Sequence, residues 1–95
     1  MKASAKQKPA MVYLVTNVMN GKRYIGVTTH KNLRRRRSEH LSSAKRRAHN
    51  GAFYKAIRKY GPDAFEWSVL MNCATAKAAL QDEVRLIAEL KPEYN

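Results

Sequence analysis

Arg36 and His40 stand four residues apart in a basic segment, Arg34-Arg35-Arg36-Arg37 followed by Lys45-Arg46-Arg47. On a helix that spacing puts both side chains on one face. A guanidinium there grips phosphate through two parallel hydrogen bonds and offsets charge that builds during attack. An imidazole beside it relays a proton or orients a water. With Arg34, Arg35 and Arg37 as neighbours, the plain reading of Arg36 is one member of a solvated basic face. Glu83 lies three residues after Leu80 and four before Ile87, at the edge of an apolar helical stripe of Leu80, Val84, Ile87 and Leu90. Burying a carboxylate costs free energy unless a cation or donors compensate it. On the residues alone, a glutamate reaching solvent or paired with an arginine takes precedence. Tyr13 and Tyr24 are the remaining proton carriers. A phenol titrates at about 10 and is a poor base at neutral pH, although nearby cations lower that value. Ring packing with the hydroxyl at the surface is the ordinary account of both.

These groups need elements to hold them. Residues 11–17, MVYLVTN, and 23–28, RYIGVT, are rich in β-branched and aromatic residues and read as strands. Asn20-Gly21 between them tolerates the positive φ angles of a tight turn, so the pair predicts a β-hairpin. Alternation puts Val12, Leu14 and Thr16 on one face and Tyr13 and Val15 on the other. Gly26 inside the second strand marks a bulge or a close backbone approach. Asn32 is placed to cap a helix from about Leu33 to Arg47. A second helix covers about Ala52 to Tyr60, with Phe53, Ala56, Ile57 and Tyr60 at helical spacing. Gly61-Pro62-Asp63 is a turn. Residues 65–71, FEWSVLM, read as a third strand with Phe65, Trp67, Val69 and Met71 on one face. Thr75 caps a last helix, about Ala76 to Leu90, which Lys91-Pro92 ends. The order β-β-α-α-β-α predicts an α+β fold, a small three-stranded antiparallel sheet flanked by helices.

The 95 residues make one domain, and a hydrophobic share of 44% with five tyrosines supports a packed core. Nineteen Lys and Arg against seven Asp and Glu leave a net charge of +12. That excess calls for a polyanionic partner. No apolar run approaches the roughly 20 residues that span a bilayer. The arginine-rich segment offers only Leu33, Leu41 and Ala44 as an apolar face, so nucleic acid is preferred to a membrane surface. Cys73 is the single cysteine, which excludes an intramolecular disulfide and a cysteine zinc site. Residues 1–10, MKASAKQKPA, are basic without the apolar core of a secretory signal, so they read as a flexible tail with the domain at 11–95. The cytoplasm is the expected location.

Order and spacing add a further reading. Met11-Val12-Tyr13, Tyr24-Ile25-Gly26, Arg36 and His40, Glu83 and the terminal Asn95 follow one another in a way that resembles the GIY-YIG nuclease family from Met11 onward. The second family tripeptide is intact; the first keeps its tyrosine and has Met11 in place of glycine. The resemblance implies a metal-dependent endonuclease acting on DNA. It implies that Tyr13 activates the attacking water, that Tyr24 helps form the site and that Arg36 is the functional arginine among its neighbours. It further implies that Glu83 ligates the metal, Mg²⁺ or Mn²⁺, and that Asn95 steadies the site through its amide. Arg34, Arg35, Arg37, Lys45, Arg46, Arg47, Lys55, Arg58 and Lys59 read as phosphate positioners that carry no base-specific contacts. His30 and His49 read as loop residues. No small-molecule cofactor is expected. Relatives commonly carry a DNA-reading module, so such a domain or partner beyond this chain is an open expectation. The reading from a different class is a non-catalytic nucleic-acid-binding protein that uses the same fold as a basic platform.

Overall fold

The computed structural model describes residues 8–95 of the protein; most of the expected tail, residues 1–7, lies outside the described residues. The elements are β1 (Ala10–Asn17), β2 (Arg23–Thr28), α1 (Leu33–Lys45), α2 (Ala52–Tyr60), β3 (Phe65–Cys73) and α3 (Ala76–Leu90), with a 3-10 turn at Pro62–Ala64. The three strands form one antiparallel sheet in the order β2-β1-β3. This is the expected α+β fold, and β1 takes in Ala10 as well.

The hairpin register brings the two tyrosine-bearing strands together. Tyr13 stands opposite Gly26, and Val15 opposite Tyr24. Opposed residues share a sheet face, so Tyr13, Val15 and Tyr24 all look one way. Val12 and Ile25 look the other way. The connecting turn is wider than a two-residue hairpin. Asn17 N–H bonds Lys22 O at 2.8 Å and Gly21 N–H bonds Asn17 O at 2.7 Å. Of the Asn20-Gly21 pair only Gly21, at φ 77°, is left-handed. The Asn17 carboxamide explains the width: it accepts from Met19 N–H at 2.9 Å, a local turn that the backbone follows.

Each sheet face carries its own core. Tyr13, Val15 and Phe65 pack with Ala44, Phe53, Ala56 and Ile57 of α1 and α2. On the other face Val12 and Ile25 pack with Ala79, Leu86, Ile87 and Leu90 of α3. The third strand departs from the simple alternation expected of it. Val12 pairs with Met71 and Tyr13 with Val69, which leaves Leu70 as an extra residue in a bulge. Phe65 and Trp67 therefore face α1 and α2, whereas Met71 and Cys73 face α3.

The last helix is also rotated from its expected phase. Leu80 and Val84 are 52% and 68% exposed, and the buried stripe runs through Ala76, Ala79, Leu86, Ile87 and Leu90. Ala76 and Ala79 fill the N-terminal part of this contact and Leu86, Ile87 and Leu90 the rest. Glu83 falls between Ala79 and Leu86 on that stripe instead of at its edge.

Both expected caps form. Asn32 accepts from Arg35 N–H at 3.1 Å, and Thr75 from Ala78 N–H at 3.1 Å. Helix α1 ends at Lys45, two residues before the expected Arg47, which has turned to φ 57°. After α3, Lys91 at φ 49° reverses the chain and returns residues 93–95 to the free edge of β2. There Glu93 accepts from Arg23 N–H, Tyr94 N–H donates to Arg23 O, and the Asn95 side chain takes Ile25 on both sides. The segment satisfies the hydrogen-bonding groups of an edge strand that would otherwise be open.

Candidate active site

The centre of the site is the Tyr13 hydroxyl. Tyr13 is wholly buried, and its ring crosses the sheet over Gly26. A Cβ on Gly26 would sit 2.5 Å from Tyr13 Cζ and nearer still to the hydroxyl oxygen. The glycine of Tyr24-Ile25-Gly26 is thus the space into which the tyrosine of β1 reaches. Gly26→Ala is expected to destabilise the protein by about 2 kcal/mol through overpacking and to displace the hydroxyl. Thermal melting and a cleavage assay on the same variant check this; an unchanged melting temperature would show that the ring moves freely.

Helix α1 brings two groups to that hydroxyl from the other side. His40 Nε2 lies 2.6 Å from Tyr13 Oη, and Arg36 Nε donates to the same oxygen at 3.3 Å. His40 is buried, and its second nitrogen, Nδ1, lies 2.7 Å from the hydroxyl of Tyr54 on α2. Arg36 also donates from Nη1 to Glu39 Oε1 at 2.9 Å. Glu39 Oε2 in turn meets His30 Nε2 at 2.9 Å. Around this row the rings close in: Trp67 stacks on Tyr13 with centroids 6.1 Å apart, and Tyr24 lies flat on Phe53 at 4.2 Å.

Burial dominates the proton affinities. Desolvation pushes the Tyr13 phenol well above its usual range, with Tyr24 adding to the rise and Arg36 only partly offsetting it. Desolvation lowers the His40 imidazole to about 4, and the Arg36 charge acts in the same direction. At neutral pH both groups are therefore neutral, and the cationic neighbour does not turn Tyr13 into a phenolate. Arg36 does lower the phenol's proton affinity, as expected of a nearby cation, but burial outweighs it. Glu39 goes the other way: its hydrogen bonds from Arg36 and then His30 hold its carboxyl below the ordinary value.

Glu83 lies on α3, near enough to Tyr24 for its charge to act on that phenol. Its helix neighbours Ala76 and Leu80 line a cleft with Thr28, His30, Arg36 and Glu39. Among the described residues the Glu83 carboxylate takes part in no ion pair and no side-chain hydrogen bond. Burial alone raises its pKa, and its charge in turn contributes to raising that of Tyr24. The arginine partner allowed by the sequence is thus not found. Asn95 acts at one remove: Oδ1 accepts from Ile25 N–H and Nδ2 donates to Ile25 O, both at 2.7 Å, which fixes the backbone between Tyr24 and Gly26.

The structure therefore gathers Tyr13, Arg36 and His40 directly, with Tyr24 packed beside them, Glu83 close enough to Tyr24 for its charge to act on it, and Asn95 on the Ile25 backbone. Of the expected phosphate positioners, Arg34, Arg35 and Arg46 line an open groove along α1 with Ser38 and Ser42. Lys45, Arg47, Lys55 and Lys59 are exposed, and Arg37 is half-exposed. Arg58 is committed elsewhere, donating to Ala44 O and His49 O at 3.2 Å and tying the end of α1 to α2. Sequence reasoning missed Tyr54 and Glu39. Glu39 was detectable as a carboxylate three residues after Arg36 on one helix face. Tyr54 carried no local signal, because its contact with His40 depends on α2 folding back along α1.

The comparisons agree with this fold. A family model described as the GIY-YIG catalytic domain matches residues 9–95. No curated protein matches the chain. Two solved structures are similar in fold. The first is a mutant form of the catalytic domain of the intron endonuclease I-TevI, with a TM-score of 0.74 and 21% identity over 87% of this chain and 84% of that one. The second is the catalytic domain of the homing endonuclease I-TevI, with a TM-score of 0.72 and 23% identity over 86% of this chain and 88% of that one. With the family model spanning both tripeptides, the α1 arginine and histidine, and the α3 glutamate, the chain belongs to the GIY-YIG catalytic-domain family.

Proposed function

We propose that the protein is a divalent-metal-dependent endonuclease that hydrolyses phosphodiester bonds in DNA. The observation that carries this reading is the buried Tyr13 hydroxyl held between Arg36 Nε and His40 Nε2, with the Glu83 carboxylate, which has no ion-pair partner among the described residues, near enough to act on Tyr24. The fold and family support it.

The residues present fit a cation held by few protein ligands. Among the described residues no cluster of three or more His, Cys, Asp or Glu side chains exists, so a cage of protein ligands is not built. Glu83 alone suits Mg²⁺, or Mn²⁺, which takes one or two carboxylates and completes its shell with waters and phosphate oxygens. Bound there, the cation supplies a counterion to Glu83 and charge neutralisation at the attacked phosphate.

The chain's own residues do the rest. Arg36 neutralises charge on the phosphate as the attacking oxygen closes in. Tyr13 takes the proton of the attacking water. It is neutral beforehand, so it does so only as its own proton leaves, and His40 Nε2 at 2.6 Å is the base that receives it. Exposed Arg34, Arg35, Lys45, Arg46, Arg47, Lys55 and Lys59, with half-exposed Arg37, hold the flanking phosphates.

Nicking of a supercoiled plasmid, with Mg²⁺, with Mn²⁺ and with neither, tests the proposal. Metal-dependent conversion to the open circle is the expected result. Retarded migration of DNA without nicking under any metal would replace this reading with a non-catalytic basic platform.

A further inference from the structure

The hydrogen bonds around His40 fix where its ring proton must be. The Tyr13 hydroxyl is buried; His40 Nε2 at 2.6 Å and Arg36 Nε at 3.3 Å bond it directly, and the Tyr24 hydroxyl interacts with it more weakly. Arg36 Nε only donates, so it uses a lone pair of the Tyr13 oxygen and leaves the hydroxyl's own hydrogen still to be placed. A buried donor left without an acceptor costs free energy, and His40 Nε2, at 2.6 Å, is the stronger acceptor beside it, because an imidazole nitrogen is more basic than a phenol oxygen. Nε2 must then be bare, and a neutral imidazole carries its single hydrogen on Nδ1. The group 2.7 Å from Nδ1 is the Tyr54 hydroxyl, whose oxygen accepts it.

We propose that Tyr54 is a positioning residue that holds His40 in the Nδ1–H tautomer and so keeps Nε2 open to accept the Tyr13 proton. The part of this that concerns catalysis rests on the nuclease reading; the tautomer does not. In the reaction, the Tyr13 O–H bond breaks as Nε2 gains the hydrogen, and Tyr13 Oη gains one from the attacking water. His40 becomes an imidazolium, and its Nδ1–H bond to Tyr54 strengthens because its donor is now charged. Tyr54 therefore acts twice, first on the tautomer and then on the cation. Its ring also packs against His40 with centroids 5.5 Å apart, and His49 covers its outer side at 4.9 Å, which limits how far the hydroxyl swings.

The experiment pairs a spectroscopic readout with a kinetic one. Long-range ¹H–¹⁵N spectra of the histidine side chains report which ring nitrogen of His40 is protonated, at pH 7 and without DNA or metal. The wild-type protein is expected to show protonated Nδ1 and bare Nε2. In Tyr54→Phe the ring keeps its packing and loses its oxygen. His40 is expected to shift toward Nε2–H, and single-turnover nicking to fall by at least about tenfold. A wild-type His40 protonated on Nε2 overturns the proposal. So does a Tyr54→Phe variant with the wild-type tautomer and the wild-type rate. Should the wild-type protein show Nδ1–H and yet nick no DNA, the nuclease reading fails and the assignment of Tyr54 stands.

Discussion

Glu83→Gln is expected to abolish metal-dependent cleavage while leaving DNA binding and the melting temperature intact, or the latter raised. The carboxylate sits on the buried stripe of α3 between Ala79 and Leu86, where burial lifts its pKa. Among the described residues no cation answers it. The metal-free protein therefore carries a partly desolvated charge at some cost, and the isosteric amide removes that cost along with the ligand. Removal of such a charge from an active site commonly raises stability. DNA affinity should hold, because loss of one carboxylate leaves the large net positive charge of +12 in place and slightly increased. A structural ion pair would behave differently, since the substitution would strand a buried cation at a cost of roughly 3 kcal/mol or more. Thermal melts beside nicking assays, each with and without Mg²⁺, separate the cases. A lower melting temperature with undiminished nicking would remove Glu83 from the metal site.

Local chemistry made much of this fold readable. Two runs of β-branched and aromatic residues around Asn20-Gly21, cap residues at Asn32 and Thr75 and the stop at Lys91-Pro92 are all short-range signals. Each acts within a few residues, so each survives into the structure. The i, i+4 spacing of Arg36 and His40 was equally local, and both do reach one hydroxyl. What could not be read depends on neighbours distant in sequence. The bulge at Leu70 arises where β3 is matched to β1, and it alone sends Met71 to the opposite face from Trp67. Helix α3 was phased by Leu80, Val84, Ile87 and Leu90, yet the sheet takes Ala76, Ala79 and Leu86 beside Ile87 and Leu90 and leaves Leu80 and Val84 exposed. That choice moved Glu83 from the edge of the stripe into it. The net proton affinities were not legible for the same reason. Charge proximity is visible in a sequence, but the depth of burial that raises Tyr13 and lowers His40 is set by three elements packing together.

Arg36→Ala is expected to lower the cleavage rate by a factor on the order of 10² or more and to change DNA affinity little. Four consecutive arginines open α1, and the helix turns each in a different direction. Arg34 and Arg35 are exposed along the outer groove. Arg36 alone has its guanidinium on the Tyr13 oxygen, at 3.3 Å, with Glu39 fixing the far nitrogen at 2.9 Å. Attraction of DNA depends on the sum of charges, and one of nineteen cationic side chains contributes little to that sum. Stabilisation of the transition state depends on position, which the neighbours do not share. The Arg36–Glu39 pair is part-exposed, so its loss should cost under about 1 kcal/mol, and a rate loss cannot then be put down to unfolding. Arg36→Lys sharpens the test. A lysine keeps the charge, but a point donor cannot bridge Tyr13 and Glu39 at once, so its rate should fall between those of the wild type and Arg36→Ala. Arg35→Ala and Arg37→Ala are the controls, compared by single-turnover rates at saturating protein. If either slows cleavage more than Arg36→Ala does, the functional arginine of this helix is not the one that touches Tyr13, and the cleft between α1 and α3 is not where the phosphate is cut.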